Sequence, residues 1–234
     1  MGGSKSDRVF RVLRDDLLAQ QWPTGERLPS ERALAERFGV NRVSVRAAVS
    51  RLVVLGLVTV RRGDGIRATG VHESASLDLV THLLDASEEE RVPLDTIRDL
   101  LELRRMAAAE AVALACERAS DDQLADLSRI AGQQAGTMGD SAAFASGDLV
   151  FARAVLAAAG NLALQLLLNT VERFYQSRPE IAAAMLAEPT VTLASYHATV
   201  ALIASRDPER ARREVRQILA AFDELTLQRL EDPR

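Results

Sequence analysis

Residues 28–65, LPSERALAERFGVNRVSVRAAVSRLVVLGLVTVRRGDG, constrain this chain more than any other stretch. Ser30 is placed to cap a short helix in which Ala33, Leu34 and Phe38 share a buried face, and Gly39 is placed to end it in a left-handed turn. Asn41 then caps a second helix, where Val45, Val49, Leu52 and Val53 recur at three- and four-residue spacing and mark the inner stripe. Asn41, Arg42, Val43, Ser44 and Arg46 crowd its first turns, so the start of this helix faces outward with polar and basic side chains. Two helices across a tight glycine turn, the second opening in this way, form the arrangement that lays a helix in the DNA major groove. Leu57–Arg61 reads as a strand, Arg62–Gly65 as a turn and Ile66–Thr69 as the returning strand, which adds a wing.

The order Leu28-Pro29-Ser30-Glu31-Arg32, Leu34-Ala35, Phe38-Gly39-Val40-Asn41-Arg42, Ser44-Val45-Arg46, Ala48, Leu52, Gly56-Leu57 and Arg62-Gly63-Asp64-Gly65 resembles the winged-helix domain of the GntR family of bacterial transcription regulators. The likeness runs without a gap through the first 70 residues. Arg42 and Arg46 lie four apart on one helix face, and arginine can grip guanine O6 and N7 with two bonds at once. Asn41 and Ser44 can donate to phosphate or base edges, and Arg32 can reach the backbone. The resemblance implies DNA contact at these positions and insertion of the wing tip, Arg62 and Gly63, into the minor groove.

The chain has 234 residues, which suits two domains better than one: a DNA-binding head over 1–70, a short polar connection over 71–76 and a helical body over 77–234. The formal net charge of −4 hides an asymmetry. Residues 1–70 hold 13 Lys and Arg against 7 Asp and Glu, and the remainder 16 against 26, so only the head is built to meet phosphate. The single cysteine, Cys116, sits in an alanine-rich helix as a small buried hydrophobe and has no partner for an internal disulfide. Without an apolar leader, and with later apolar stretches interrupted by charges, the expectation is a cytoplasmic protein without a membrane span.

Val9, Val12, Leu13 and Leu17 form a stripe on a helix over about residues 7–20 that packs beneath the two reading helices. Trp22 is a packing residue at the edge of the head. Leu77, Leu79, Val80, Leu83 and Leu84 mark a first helix of the body. Helices then follow over Leu94–Ala119, from Asp121 to about Gly136, from Asp140 or Ser141 to Gly160, over Leu162–Ser177, a short piece around Pro179–Leu186, Thr190–Ser205 and Pro208–Arg229. The fold class expected is mainly α: an N-terminal winged helix-turn-helix and a C-terminal all-α bundle of six to seven helices.

Leu103-Arg104, Asp148-Leu149-Val150-Phe151, Ala158-Ala159-Gly160-Asn161, His197 and Asp207-Pro208-Glu209-Arg210-Ala211 resemble the effector-binding bundle of the FadR branch of that family. Many of its members hold a divalent metal through an aspartate and three histidines. Asp148 and His197 match two ligands, but Ala152 and Ile218 stand where the others belong, so no metal or other cofactor is expected. The branch's metal-free repressor senses fatty acyl-CoA, and Leu168-Asn169 and Phe174-Tyr175 resemble its pattern. The resemblance therefore implies an effector site at Arg104, Asp148, Asn169, Tyr175 and His197, with long-chain acyl-CoA first and a carboxylate metabolite second. A core salt bridge between Arg104 and Asp148 is the bland alternative for those two residues. No P-loop, nucleophile elbow, HExxH pair or glycine-rich dinucleotide turn is present, so no enzyme is expected. The function expected is a homodimeric, effector-controlled transcription regulator, repressor or activator, of a near-palindromic double-stranded DNA operator, with an architectural DNA-binding protein as its rival.

Overall fold

The computed structural model describes residues 4–75, 77, 79–80 and 94–232. Its contacts divide the chain into two compact units, residues 1–88 and 89–234.

In the first unit, helix α1 spans Lys5–Leu18 and opens with a capping box between Ser4 and Asp7. Its buried stripe is Val9, Phe10, Leu13 and Leu17, with Arg14 buried alongside; Val12, expected inside, is only half-buried and Phe10 takes its place. Helix α2, Glu31–Phe38, is capped by Ser30 and ended by Gly39 at φ 62°. Helix α3, Arg42–Val54, is capped by the Asn41 side chain, which accepts the Ser44 N–H at 2.8 Å. Two expected core positions are corrected. Ala33 is exposed and Ala35 buried on α2, while Val53 is 42% exposed and Ala48 is fully buried on α3. Small side chains win these sites because α3 packs closely on both α1 and α2.

Strands β1, Val58–Arg61, and β2, Gly65–Ala68, pair antiparallel with Val58 opposite Ala68 and Arg61 opposite Gly65. Trp22 packs at the edge of the head core, its indole N–H buried without a hydrogen-bond partner. Where the sequence suggests an irregular connection, Val71–Ser74 forms a helical turn, α4, whose Val71 and neighbouring Ala75 lie against that core. Leu79 is buried in the same core, so the head extends past the connection expected at 71–76. The remainder of the helix expected around Leu77–Leu84 lies outside the described residues.

Gly56, at φ 72°, lets the chain pass under α4: a Cβ there would stand 1.9 Å from the Ser74 carbonyl oxygen. Gly56→Ala should therefore cost about 2 kcal/mol, from the left-handed backbone and the forced retreat of α4. Denaturant titration would check it.

The second unit is a bundle of seven helices among the described residues: α5 Leu94–Arg118, α6 Asp121–Gln134, α7 Ser141–Ala159, α8 Leu162–Ser177, α9 Pro179–Met185, α10 Pro189–Ala204 and α11 Pro208–Glu231. A single 3₁₀ turn, Ala135–Thr137, follows α6. Side chains of Ser120, Asp140 and Asp207 cap three of these helices, proline opens three, and Gly160 turns α7 into α8 at φ 60°. Helix α5 is central, packed by α7, α10 and α11, and its Ala109, Val112, Ala115 and Cys116 admit those neighbours closely. The charges within α7 are only Asp148 and Arg153, so, contrary to the sequence expectation, this helix is long and apolar enough to cross a membrane by composition alone. Its Phe151, Val155, Ala158 and Ala159 instead belong to the bundle core.

The Cys116 thiol donates to the Leu202 carbonyl at 3.4 Å, and burial pushes its pKa up. It should resist thiol reagents in the folded protein and react on unfolding, which a timed labelling assay by mass spectrometry would show.

Candidate DNA-reading surface and buried polar cluster

Because Asn41 caps α3, the following turn carries Arg42, Val43, Ser44 and Arg46 on or near the surface. The Asn41 oxygen is engaged in the cap, which leaves its amide N–H groups for a ligand. Arg42 is exposed. Arg46 is also exposed, yet its guanidinium grips Glu31, the first residue of α2, through Nε at 3.2 and 3.3 Å and Nη2 at 2.9 Å. That contact, the largest influence on Glu31, holds its carboxyl below the usual range. Arg32 is exposed and lies 3.8 Å from Glu36 on its own helix. At the wing, Arg62 and Gly63 are exposed at the tip, with Gly63 at φ 86°. Asp64, in the turn, pairs with Arg67 on β2 at 2.6 Å. Sequence reasoning passed over Val43 as a contact, although 76% of it is exposed on the first turn of α3. An exposed valine beside two arginines suits a thymine methyl.

Within the bundle the expected effector residues separate. Asp148 on α7 accepts a 2.6 Å hydrogen bond from the Tyr196 hydroxyl, and the Tyr196 ring stacks on Phe151 with centroids 4.3 Å apart. Tyr175 is buried on α8, its hydroxyl 3.4 Å from Met185 Sδ. Burial raises the pKa of both tyrosines, and the Asp148 charge adds to it. Arg104 pairs with Asp223 on α11 at 3.4 Å rather than with Asp148, and Arg105 pairs with the same Asp223 at 2.8 Å. Arg104 still acts on Asp148 through its charge.

Two residues leave the expected group. His197 is exposed on α10, because the neighbouring residue, Tyr196, is the one turned inward. Asn169 accepts from Arg153 at 3.2 Å, beside the Arg153–Glu172 ion pair. One residue not anticipated joins the buried face of α10: Thr192, a helical turn before Tyr196, is 4% exposed with its hydroxyl unpartnered. The metal set does not fit this arrangement, since a tyrosine hydroxyl stands against Asp148 and Ala152 supplies no ligand. Among the described residues no group of three His, Cys, Asp or Glu is placed to hold a metal.

Burial is the largest influence on Asp148 and raises its pKa. Asp223 shifts the same way for the same reason. A carboxyl raised in the folded state binds protons that the unfolded chain has already lost, so its ionisation opposes folding once pH rises through the raised value. Acidification from neutrality toward the ordinary carboxylate range should therefore relieve a cost at Asp148. Asp148→Asn should flatten that part of the profile, measured as melting temperature against pH relative to the parent. Asp7, Glu31 and Asp64 in the head run oppositely: Ser4, Arg46 and Arg67 respectively hold them low, and what they contribute fades as pH falls.

Comparison with known proteins decides the family. Residues 5–67 match the family model described as bacterial regulatory proteins, gntR family, and residues 99–221 match the FCD domain. Mce2R, an HTH-type transcriptional regulator of Mycobacterium tuberculosis, is 33% identical over 92% of this chain and 89% of its own length. This chain belongs to the GntR family. Another relative is the HTH-type transcriptional repressor NanR of Enterobacter sp., 29% identical over 92% of this chain and 82% of its own. Among solved structures, Lar, described as controlling the Listeria monocytogenes agr system, superposes with TM-score 0.57 at 16% identity, covering 97% of this chain and 99% of that one. That likeness shows a shared fold. The GntR assignment makes the protein a DNA-binding transcription regulator with an effector-binding domain, and its named relatives are regulators rather than enzymes.

Proposed function

We propose that this regulator is a cytoplasmic, homodimeric repressor that reads a near-palindromic operator through Arg42 and Arg46. Arg32 clamps the backbone, Asn41 and Ser44 support the register, and Arg62 and Gly63 enter the minor groove. A dimer presents two reading helices about one turn of duplex apart, which matches a short palindrome. The effector, in this reading, is a small carboxylate held in the bundle beside Arg104, Asp148 and Tyr196. Because a ligand shifts an equilibrium only through its different affinity for two states, the carboxylate must favour the arrangement that does not fit DNA.

One observation carries the choice of ligand. Arg104 and Arg105 share the single carboxylate of Asp223, and the Asp148 carboxylate is engaged by the Tyr196 hydroxyl. That balance leaves positive charge for an incoming anion, and guanidinium is the group best shaped to hold a carboxylate. The unpartnered Thr192 hydroxyl supports a polar ligand of modest size. Long-chain acyl-CoA, which the FadR resemblance implies, is the competing assignment.

Calorimetric titration of the purified chain with a panel of mono- and dicarboxylates and with acyl-CoA separates the two. Saturable heat from a small carboxylate that weakens with Arg104→Ala is expected. Heat from acyl-CoA alone would overturn the carboxylate assignment. A footprint on genomic DNA should show sharply bounded palindromic protection, whereas broad protection without sequence preference would favour an architectural protein.

A further inference from the structure

The Arg46–Glu31 contact commits only one edge of the guanidinium. Nε–H and one N–H of Nη2 are taken by the carboxylate, and three N–H groups remain. Two of those three form the end-on fork, one on each terminal nitrogen, and that fork matches the O6 and N7 acceptors of guanine. The carboxylate lies on the inner side of the pair, since the Glu31 side chain is 29% exposed and that of Arg46 70%. Glu31 is itself fixed, being the first residue of the capped α2, where the helix dipole favours a negative charge. The bond spans fifteen residues and joins the two reading helices. An exposed pair of this kind adds little to folding, so its consequence is to be sought in where it holds the arginine.

We propose that Glu31 is a positioning residue for DNA reading: it anchors the side edge of Arg46 and thereby aims the end-on fork at the base edges in the major groove. A free arginine on a surface helix samples many rotamers and falls readily onto a neighbouring phosphate. An anchored one meets the groove already ordered, and less conformational entropy is lost on binding. Glu31 also subtracts charge from the surface that meets phosphate, since it feels Arg42 as well as Arg46. That charge weakens attraction to every duplex alike, so selectivity rests on the anchoring of Arg46. The inference rests on the reading of Arg46 as a base contact.

The test uses the full chain, the operator recovered by selection from a random duplex pool, and an unrelated duplex of equal length. Glu31→Gln should bind the unrelated duplex more tightly and lower the operator-to-unrelated ratio about ten-fold. It should also steepen the salt dependence on the unrelated duplex by about 0.9 in log K per log salt, as Arg46 moves onto a phosphate. Glu31→Asp keeps the charge but shortens the arm, so selectivity should fall without steepening the salt dependence. In an Arg46→Ala background Glu31→Gln should leave selectivity unchanged, a result that mere damage to α2 would not produce. If Arg46→Ala alone binds the operator like the parent, the reading of Arg46 fails and this inference with it. If Arg46→Ala weakens binding while both Glu31 variants retain parental selectivity, the role of Glu31 alone is overturned.

Discussion

Replacing Arg42 and Arg46 together by alanine is expected to lower operator affinity by at least about a hundred-fold while leaving the melting temperature within a degree or two of the parent. Both side chains are exposed, and neither belongs to the head core. Removal of the Arg46–Glu31 pair costs the fold little for the same reason. A bidentate base contact is worth about 1–3 kcal/mol, so two such losses compound. The single variants divide the roles. A base-reading arginine, once truncated, relaxes preference at one base pair and leaves the salt slope nearly intact, whereas a phosphate-binding one weakens every duplex alike and lowers that slope by about one unit. Fluorescence anisotropy over a salt series measures both. Undiminished operator affinity in the double variant would remove the reading of α3 as the recognition helix.

The second large effect is expected at Asp223. This carboxylate is 4% exposed and accepts from Arg104 and Arg105, tying α11 to the central α5. Asp223→Ala would leave two guanidinium groups facing each other without an acid, a change that costs about 3 kcal/mol, the low end for buried pairs because both arginines retain some contact with water. Asp223→Asn keeps an acceptor and the volume but not the charge, and should recover part of the loss. Chemical denaturation gives the ranking: parent, then Asn, then Ala. A parental midpoint for Asp223→Ala would show that the arginines find other partners. The same variants bear on the effector, since removing Asp223 raises the positive charge in the bundle and should tighten binding of a small carboxylate wherever the fold survives.

The elements that position the reading surface were legible because local chemistry dictates them. Ser30, Gly39 and Asn41 fulfil backbone demands at fixed places in a helix, and no distant contact can reassign them. Burial was less legible. Ala35 and Ala48 are interior because helices cross there, and a hydrophobicity pattern ranks alanine below the valine and phenylalanine beside it. The polar cluster shows the sharpest failure. His197 and Tyr196 differ by one position, yet one residue is a 100° rotation on a helix, enough to exchange an interior site for solvent. Likewise nothing near Arg104 in the sequence announces Asp223, which lies 119 residues away. Pairings across a bundle depend on how helices are rotated against each other, and periodicity leaves that rotation open.

The close approach of Gly56 to Ser74 has a mechanical consequence. The Gly56 carbonyl also accepts the Thr69 hydroxyl at 2.5 Å, so the start of the wing, its end and the following helical turn meet at one point. A side chain at position 56 would force these three segments apart, so the seating of the hairpin on the head depends on that one residue having none.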